Sequence, residues 1–481
     1  MNSIDRDLSR FFIGGSWVAP STTRLFTMVN PSTEDVIATV PEGQEADIDR
    51  AVAAARDAFD GTGWRDLAAA ERAKALRRFA EALQRRKAEL ARTVSNQNGM
   101  PNWLSTLFEG DVAISLLDYY AGLIEGQQEC ETRPSQLGRE TLVERIPVGV
   151  VAAIVPWNYP VTLAMTKIAP ALAAGCTMVV KPSPGTIIDS YILAQAAREA
   201  ELPPGVINWV AADRDVGAYL VSHPHVDKVA FTGSTAAGRV IAGECGRLLR
   251  PATLELGGKS AAIILDDADI DRLVESLAMV SYLNNGQTCF ASTRILAPRS
   301  RYAEIVDAVA DGSAGLRVGD ALDMETQIGP MASSAHRDRV EHYIARGRDE
   351  ARLVTGGGRP RHMRQGWFVE PTVFADVDNR SVIAQEEIFG PVLTIIPYDD
   401  EAQAVRIAND SPFGLGGSIW SRDEAHALDV AARIQTGTIG INGYAPAVGS
   451  PFGGVKASGL GRELGPEALN SYWQLKSTYL M

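Results

Sequence analysis

Cysteine is scarce in this chain: Cys130, Cys176, Cys245 and Cys289 are the only four in 481 residues, and no two stand in a CxxC spacing. That speaks against a disulfide framework and against a zinc cluster, so each thiol has to be judged singly. Long apolar runs are missing too. Nothing approaches the roughly 18 apolar residues of a membrane span, and the opening MNSIDRDLSRFF carries charges where a secretory leader needs an apolar stretch. The expectation is a cytoplasmic protein with no membrane partner. Basic residues are in deficit, 46 Lys and Arg against 59 Asp and Glu, for a formal charge of −13. That disfavours a nucleic-acid partner, whose phosphates need basic surface, but leaves room for a local pocket for one dinucleotide. Two phosphate motifs are also absent. There is no GxGxxG, and GGKS at 257–260 fails as a P-loop because Thr253 stands where the first glycine belongs. His223 and His225 form an HxH pair with no further ligand nearby, which reads as solvated or helix-end histidine.

What is present is an ordinary globular composition, 46% hydrophobic and 22% charged, on a chain long enough for two or three domains. Apolar residues recur at helical spacing from about 43 to 125 (AVAAARDAF, RAKALRRFAEALQRRKAEL). The stretch 127–147 turns polar, carries a Pro and a Gly and ends in the alternating ETLVERI, as a β-hairpin arm would. From 149 to 265 short β-branched runs (VVAAIV, TMVVK, VINWV, KVAFT, LEL, AAIIL) alternate with helical stretches, the signature of a parallel, Rossmann-like α/β sheet. A second α/β region follows from about 268 to 448, with RILAP, ARLVTGG, VLTIIPY, SIWS and TIGIN as strands. The tail SYWQLKSTYL alternates again and needs a neighbour to pair with. No internal repeat or low-complexity tract is visible.

Several residues carry chemistry by their setting. In FTGSTAAGR a strand ends at Thr232 and a helix begins near Ser234, with Gly233 and Gly238 about the turn. Such a turn brings phosphate oxygens to helix N–H groups, and it is equally what a plain strand-to-helix connection looks like. Cys289 lies in NNGQTCF, a small polar setting, where a nucleophile and a small buried residue are both open readings. Glu255 sits in LELGGKS at the end of a β run, where an acid is costly without a role or a partner; burial would raise its pKa toward that of a useful base, and a structural ion pair is the alternative. Asn158 in PWNYP follows the strand VVAAIV at its carboxyl end, where α/β folds place ligands; its amide suits an oxyanion, or simply a turn.

Together these motifs resemble the aldehyde dehydrogenase superfamily from roughly residue 10 to 475: IVPWNYP, VVKPSP, FTGST, LELGGKS, GQTC, EEIFGPV, SPFGL, TGTIGIN and PFGGVKASGLGRELG occur in the family's order and approximate spacing. The resemblance implies a dinucleotide-binding domain (1–126 and 148–257), a catalytic domain (258–448), and an oligomerisation arm with a C-terminal segment (127–147 and 449–481). It implies Cys289 as nucleophile, Glu255 as general base, and Asn158 with the Cys289 backbone N–H as oxyanion hole. For the cofactor it implies Lys181 on the adenosine ribose, Ser234 on the pyrophosphate, Glu387 on the nicotinamide ribose and Phe389 by the nicotinamide ring, with Pro156, Trp157, Ser183, Gly233 and Gly257 around them. The substrate funnel it implies is lined by Tyr159, Leu163, Thr166, Leu283, Thr288, Phe290 and Phe452. No Arg or Lys stands among these, so the expected substrate is an uncharged, apolar aldehyde, aliphatic or aromatic. One departure concerns the cofactor. Pro184 follows KPS where many NAD-preferring members carry a Glu that bonds the adenosine ribose, so NAD is expected with NADP tolerated.

The chemistry accounts for these residue types. An aldehyde gives up hydride only after a thiolate has added to it; the resulting alkoxide needs a preorganised donor, worth about 3–4 kcal/mol; and the thioester left behind needs a base to activate water. Alternatives are a relative that passes its acyl group to coenzyme A, which generally lacks the glutamate, and a catalytically silent binding or structural homologue. The remaining expectation is a homo-oligomer, dimer or tetramer, built through the arm and the C-terminal strand, since a lone hairpin is marginal in water.

Overall fold

The computed structural model describes residues 7–61 and 63–481; the reading of the N-terminal MNSIDRDLSRFF therefore falls partly outside the described residues. The runs VVAAI, TMVVK, INW, KVAFT and ATLE form five parallel strands, Val150–Ile154, Thr177–Lys181, Ile207–Trp209, Lys228–Thr232 and Ala252–Glu255. They read as continuous apolar runs because helices cover both faces. In space the order is Ala252–Glu255, Lys228–Thr232, Val150–Ile154, Thr177–Lys181, Ile207–Trp209. The winding direction thus reverses between Val150–Ile154 and Lys228–Thr232, and a crevice opens beyond their carboxyl ends, the usual ligand position in such sheets. The helix Pro160–Ala174 leaves one side of this crevice and Thr235–Arg247 the other.

A second sheet runs Arg352–Thr355, Thr372–Ala375, Val392–Tyr398, Ser292–Pro298, Ser260–Ile264, Gly417–Trp420, Gly440–Ile441, parallel except at its first pair. The run AAIIL, expected with the first alternating region, belongs here: Ser260–Ile264 pairs with Ser292–Pro298 and Gly417–Trp420. Strand propensity could not distinguish the two sheets; the glycines between Glu255 and Ser260 let the chain leave one and enter the other. This crossing places the site. Glu255 ends the first sheet just before Ser260 opens the second, and Ser260 pairs with Ser292, three residues after Cys289. Two residues remote in sequence are thereby brought to one junction.

The segment 43–125 is helical as expected, with helices Glu45–Gly61, Ala69–Gln84, Lys87–Asn98 and Ala113–Glu125, and one wide π-helical turn at Thr106–Val112. The short pairs Phe11–Ile13 with Ser16–Val18 and Leu25–Val29 with Val36–Pro41 were not anticipated. Cys130–Pro134 and Glu140–Pro147 form the expected hairpin. Its third strand comes from the same chain: Trp473–Leu480 pairs along the whole of Glu140–Pro147. The hairpin therefore does not need a second subunit to become a three-stranded sheet. Nor does 449–481 serve the arm alone, because Gly459–Leu460 returns to pair with Leu254 and Glu255 at the edge of the first sheet.

Candidate active site

Cys289 sits on a loop that its own asparagines hold in shape. After the helix Ile270–Val280 the chain passes through Asn284 and Asn285, whose φ values of 52° and 62° lie in the left-handed region that asparagine tolerates. Asn285 donates from Nδ2 to the carbonyls of Gly99 and Pro330, both at 2.9 Å, and accepts the Gly329 N–H at 2.6 Å. Asn284 donates to the Asn158 carbonyl at 2.9 Å. Cys289 itself is half-buried and carries a free thiol. Burial pushes that thiol well up, and the carboxylates of Glu387 and then Glu255 push it further. The resting side chain is a thiol that needs a base.

Glu255 is buried, and neither carboxylate oxygen has a hydrogen-bond partner. Burial holds its carboxyl well above the ordinary range, Glu463 adds to this, and Lys167 and Arg462 oppose it. Its surroundings leave room only for glycine at 453, where φ is 153° and a Cβ would lie 2.6 Å from Glu255 Oε1. Behind it stands a fully satisfied network. Glu463 Oε1 accepts from Lys167 Nζ at 2.7 Å, Lys167 donates also to Thr232 Oγ1 at 2.7 Å, and Glu463 Oε2 accepts from Thr166 Oγ1 at 2.8 Å. Thr166, expected on the funnel wall, has its hydroxyl bonded to Glu463 and the Leu163 carbonyl. Because it lies one turn above Leu163, sequence position alone could not tell the apolar side of the helix from the polar one.

Asn158 is buried, and its Nδ2 donates to the Gln287 carbonyl at 3.0 Å, two residues before Cys289. An amide nitrogen carries two N–H groups, so this bond aims the side chain at the cysteine loop while using one of them. The Asn158 carbonyl is held in turn by Asn98 at 3.2 Å and by Asn284. Next along the chain, the Tyr159 hydroxyl meets Thr288 Oγ1 at 2.8 Å, and the Thr288 hydroxyl donates to the Leu283 carbonyl at 2.8 Å. Tyr159 and Leu283 form one apolar cluster with Met100 and Leu104, edged by Trp103, Phe108, Leu163 and Phe290. Phe290 stacks on Tyr444 at 4.8 Å and meets Phe452 edge-on at 6.0 Å. Met100, Trp103, Leu104, Phe108 and Tyr444, which pack against these expected funnel residues, were not singled out from sequence: Trp103, Leu104 and Phe108 are helical and Met100 lies between two helices, so their apolar character reads simply as core.

The dinucleotide-side residues lie around the crevice mouth. Ser234 is exposed at the N-cap of Thr235–Arg247 and accepts the Ala237 N–H at 3.3 Å, and Gly233 donates its N–H to the Glu255 carbonyl at 3.0 Å. Lys181 ends its strand buried, giving two bonds to the Ala212 and Pro182 carbonyls at 2.8 and 3.1 Å, and burial lowers its pKa to about 8. Ser183 and Pro184 follow, both half-buried. Glu387 Oε1 accepts the Gly258 N–H at 2.9 Å, and a Cβ on Gly257 would lie 2.6 Å from Oε2; burial raises its pKa to about 7. Pro156 and Trp157 are half-buried, and the Trp157 ring meets Phe389 edge-on at 5.4 Å. Phe389 has φ 64°, and His336, which sequence reading missed, takes its carbonyl at 2.6 Å while packing on Trp157 at 5.1 Å. A helix N-terminus, a cation, a carboxylate and flat rings arranged along one crevice suit the phosphates, riboses and ring of a dinucleotide. Among the described residues, no group of three or more His, Cys, Asp or Glu could hold a metal ion, and no helix is long and apolar enough to cross a membrane.

Comparison with known proteins agrees with this geometry. The model of the aldehyde dehydrogenase family matches residues 17–478. The geranial dehydrogenase of Castellaniella defragrans is 61% identical over 475 residues, covering 99% of each chain. A Mycobacterium tuberculosis aldehyde dehydrogenase crystallised with NAD+ superposes with a TM-score of 0.96 at 46% identity, covering 98% of both chains. An aldehyde dehydrogenase of Pseudomonas syringae in complex with NAD+ and octanal gives 0.95 at 39% identity, covering 98% of this chain and 96% of that one. The chain belongs to the aldehyde dehydrogenase family.

Proposed function

We propose that this enzyme oxidises an uncharged, apolar aldehyde to the carboxylic acid with NAD, through a thioester on Cys289. The observation that carries the proposal is the meeting of three groups in one crevice. Asn158 is bonded to the cysteine loop, Glu255 is buried with no hydrogen-bond partner, and both stand at Cys289. Glu255 takes the thiol proton, and Cys289 Sγ adds to the carbonyl carbon. The oxygen becomes an alkoxide that the Asn158 amide and the Cys289 backbone N–H stabilise. Bound NAD supplies the hydride acceptor. As the tetrahedral adduct collapses it loses hydride and leaves an acyl thioester. Glu255, having released the thiol proton to solvent, draws a proton from water, whose oxygen attacks the acyl carbon; the carbon–sulfur bond breaks, the acid departs, and the proton on Glu255 returns to the Cys289 sulfur. Ser234, Gly233 and the helix behind them would hold the pyrophosphate, Lys181 and Ser183 the adenosine ribose, Glu387 and Gly257 the nicotinamide ribose, and Trp157, Pro156 and Phe389 the nicotinamide ring.

The apolar substrate is supported by the apolar side chains that pack together beside the cysteine loop, Met100, Leu104, Tyr159, Leu163, Leu283 and Phe290, and by relatives named for geranial and crystallised with octanal. NADP is tolerated because Pro184 offers neither repulsion to a 2′-phosphate nor a bond to the ribose. The two sheets correspond to a dinucleotide-binding part ending near residue 257 and a catalytic part from 258 to 448. The three-stranded arm, with Leu475 and Tyr479 largely exposed, joins copies of the chain into a cytoplasmic dimer or tetramer. The test is NADH formation with a panel including geranial, octanal, succinate semialdehyde and betaine aldehyde, with NAD and NADP, with and without coenzyme A. Acyl-CoA as the sole product, or a kcat/KM tenfold better for a charged aldehyde, overturns it.

A further inference from the structure

The helix Pro160–Ala174 begins directly after Asn158 and Tyr159, and it lacks a cap of its own. Its N-cap residue is Tyr159, which makes no side-chain cap bond because its hydroxyl is turned to Thr288. A helix start leaves several N–H groups without partners. Pro160 has none to satisfy, and the Leu163 N–H reaches the Tyr159 carbonyl at 2.9 Å. The Val161 and Thr162 N–H groups remain, and both go to one oxygen of Glu109, Oε2, at 2.7 and 3.4 Å. Glu109 lies 52 residues earlier in the chain, inside the π-helical turn Thr106–Val112. It is 0% exposed, and its second oxygen, Oε1, is buried without a partner.

Neighbouring contacts make the same joint. Thr162 Oγ1 donates to the Phe108 carbonyl at 2.6 Å, and the Phe108 ring meets Tyr159 edge-on at 5.6 Å. π-turns inside α-helices are often found at functional sites, and this one brings Phe108 and Glu109 together against the first turn of the next helix. Upstream, the Asn158 carbonyl is held by Asn98 and Asn284. The short segment Asn158–Thr162 is therefore pinned at both ends, with Glu109 as the downstream pin.

We infer that Glu109 is a positioning residue of the reaction: as a cap supplied from another part of the chain, it fixes the backbone on which Asn158 faces the cysteine and Tyr159 faces the substrate. The choice of a carboxylate has a cost, since burial, helped by the charge of Asp189, raises the Glu109 pKa to about 8. What the carboxylate supplies in return is an acceptor for the Val161 and Thr162 N–H groups, which an apolar side chain of similar size would leave unpaired. This inference rests on the roles proposed above for Cys289 and Asn158.

The test separates geometry from folding. Cys289 in the full-length enzyme is alkylated with iodoacetamide, which needs the thiol but no oxyanion donor, and separately acylated with p-nitrophenyl acetate, which needs both. Glu109→Ala is expected to lower the acylation rate at least tenfold while alkylation stays within threefold of wild type. Glu109→Gln, which keeps an acceptor for Val161 and Thr162, is expected to restore the ratio to within threefold. Equal losses in both reactions, or a wild-type ratio in Glu109→Ala, overturn the inference. If Glu109→Ala does not accumulate as folded protein, Glu109→Asp, one methylene too short to reach both N–H groups, takes its place. A lowered ratio supports the inference and a wild-type ratio overturns it. Failure of the underlying reading looks different: wild-type enzyme whose acyl and alkyl labels are not on Cys289, or Asn158→Ala acylating at the wild-type rate.

Discussion

Two buried glutamates stand in adjacent segments paired by Leu254–Leu460 and Glu255–Gly459, and they are treated in opposite ways. Glu463 has an ammonium, a hydroxyl and a place in a closed network. The Glu255 carboxyl accepts no hydrogen bond on either oxygen. A buried charge without partners is several kcal/mol more costly than a paired one, so the contrast separates a residue kept for architecture from one kept for chemistry. Lys167 and Glu463 set the local field, and Glu255 titrates within it.

The comparison can be broken first at its centre. Cys289→Ala is expected to abolish NADH formation, including any single-turnover burst, while retaining cofactor binding measured by fluorescence titration; residual burst would place the nucleophile elsewhere. Glu255→Gln should slow steady-state turnover by about 10²–10⁴-fold without lowering the unfolding midpoint, and mass spectrometry should find the acyl group on Cys289. A burst lost in proportion to turnover would mean that Glu255 acts mainly before hydride loss, on the thiol proton. Glu463→Ala reverses the pattern. It strands the buried Lys167 ammonium and should cost about 3–5 kcal/mol of stability in a denaturant titration; no change in midpoint would remove Glu463 from its architectural role.

Smaller effects sharpen the contrast. Because the Glu255 carboxyl is held above the ordinary range, only its ionised form can accept a proton from water, and deacylation-limited turnover should rise with pH through that elevated pKa. The sign for stability is opposite. A carboxyl whose folded pKa exceeds its unfolded value makes the folded state less stable as pH rises between the two, so Glu255→Gln should flatten both curves. A pH–rate profile unchanged in shape by Glu255→Gln would contradict this. Least of all, Pro184→Glu should raise the preference for NAD over NADP at least tenfold, read as the ratio of kcat/KM values; an unchanged ratio would show that discrimination lies elsewhere.

Much of this was legible in the residues because local chemistry and fold agreed. The runs VVAAI, TMVVK and KVAFT could hardly be anything but covered parallel strands, whereas the settings of Cys289, Glu255 and Asn158 each left a bland reading open, and only the resemblance joined them into one site. What escaped notice depended on distance. AAIIL has the same composition as the strands before it, so its run alone does not separate it from them; its pairing with Ser292–Pro298 puts it in the second sheet. Thr166 is one turn from Leu163, yet faces Glu463. Trp103 and Phe108 lie on apolar helical spacing that looks like core, and His336 and Glu109 act through backbone groups 53 and 52 residues away, which no local pattern encodes.

The pairing of Trp473–Leu480 with Glu140–Pro147 has a consequence in time. Arg139 and Met481, bonded at the end of that sheet, are 342 residues apart. During synthesis at about 5–20 residues per second, the hairpin leaves the ribosome tens of seconds before its third strand exists, and Gly459–Leu460, which closes the edge beside Glu255, comes hardly sooner. For that interval the nascent chain shows two unpaired strand edges, each able to take the wrong partner. The polar, charged face of ETLVERI is suited to that wait.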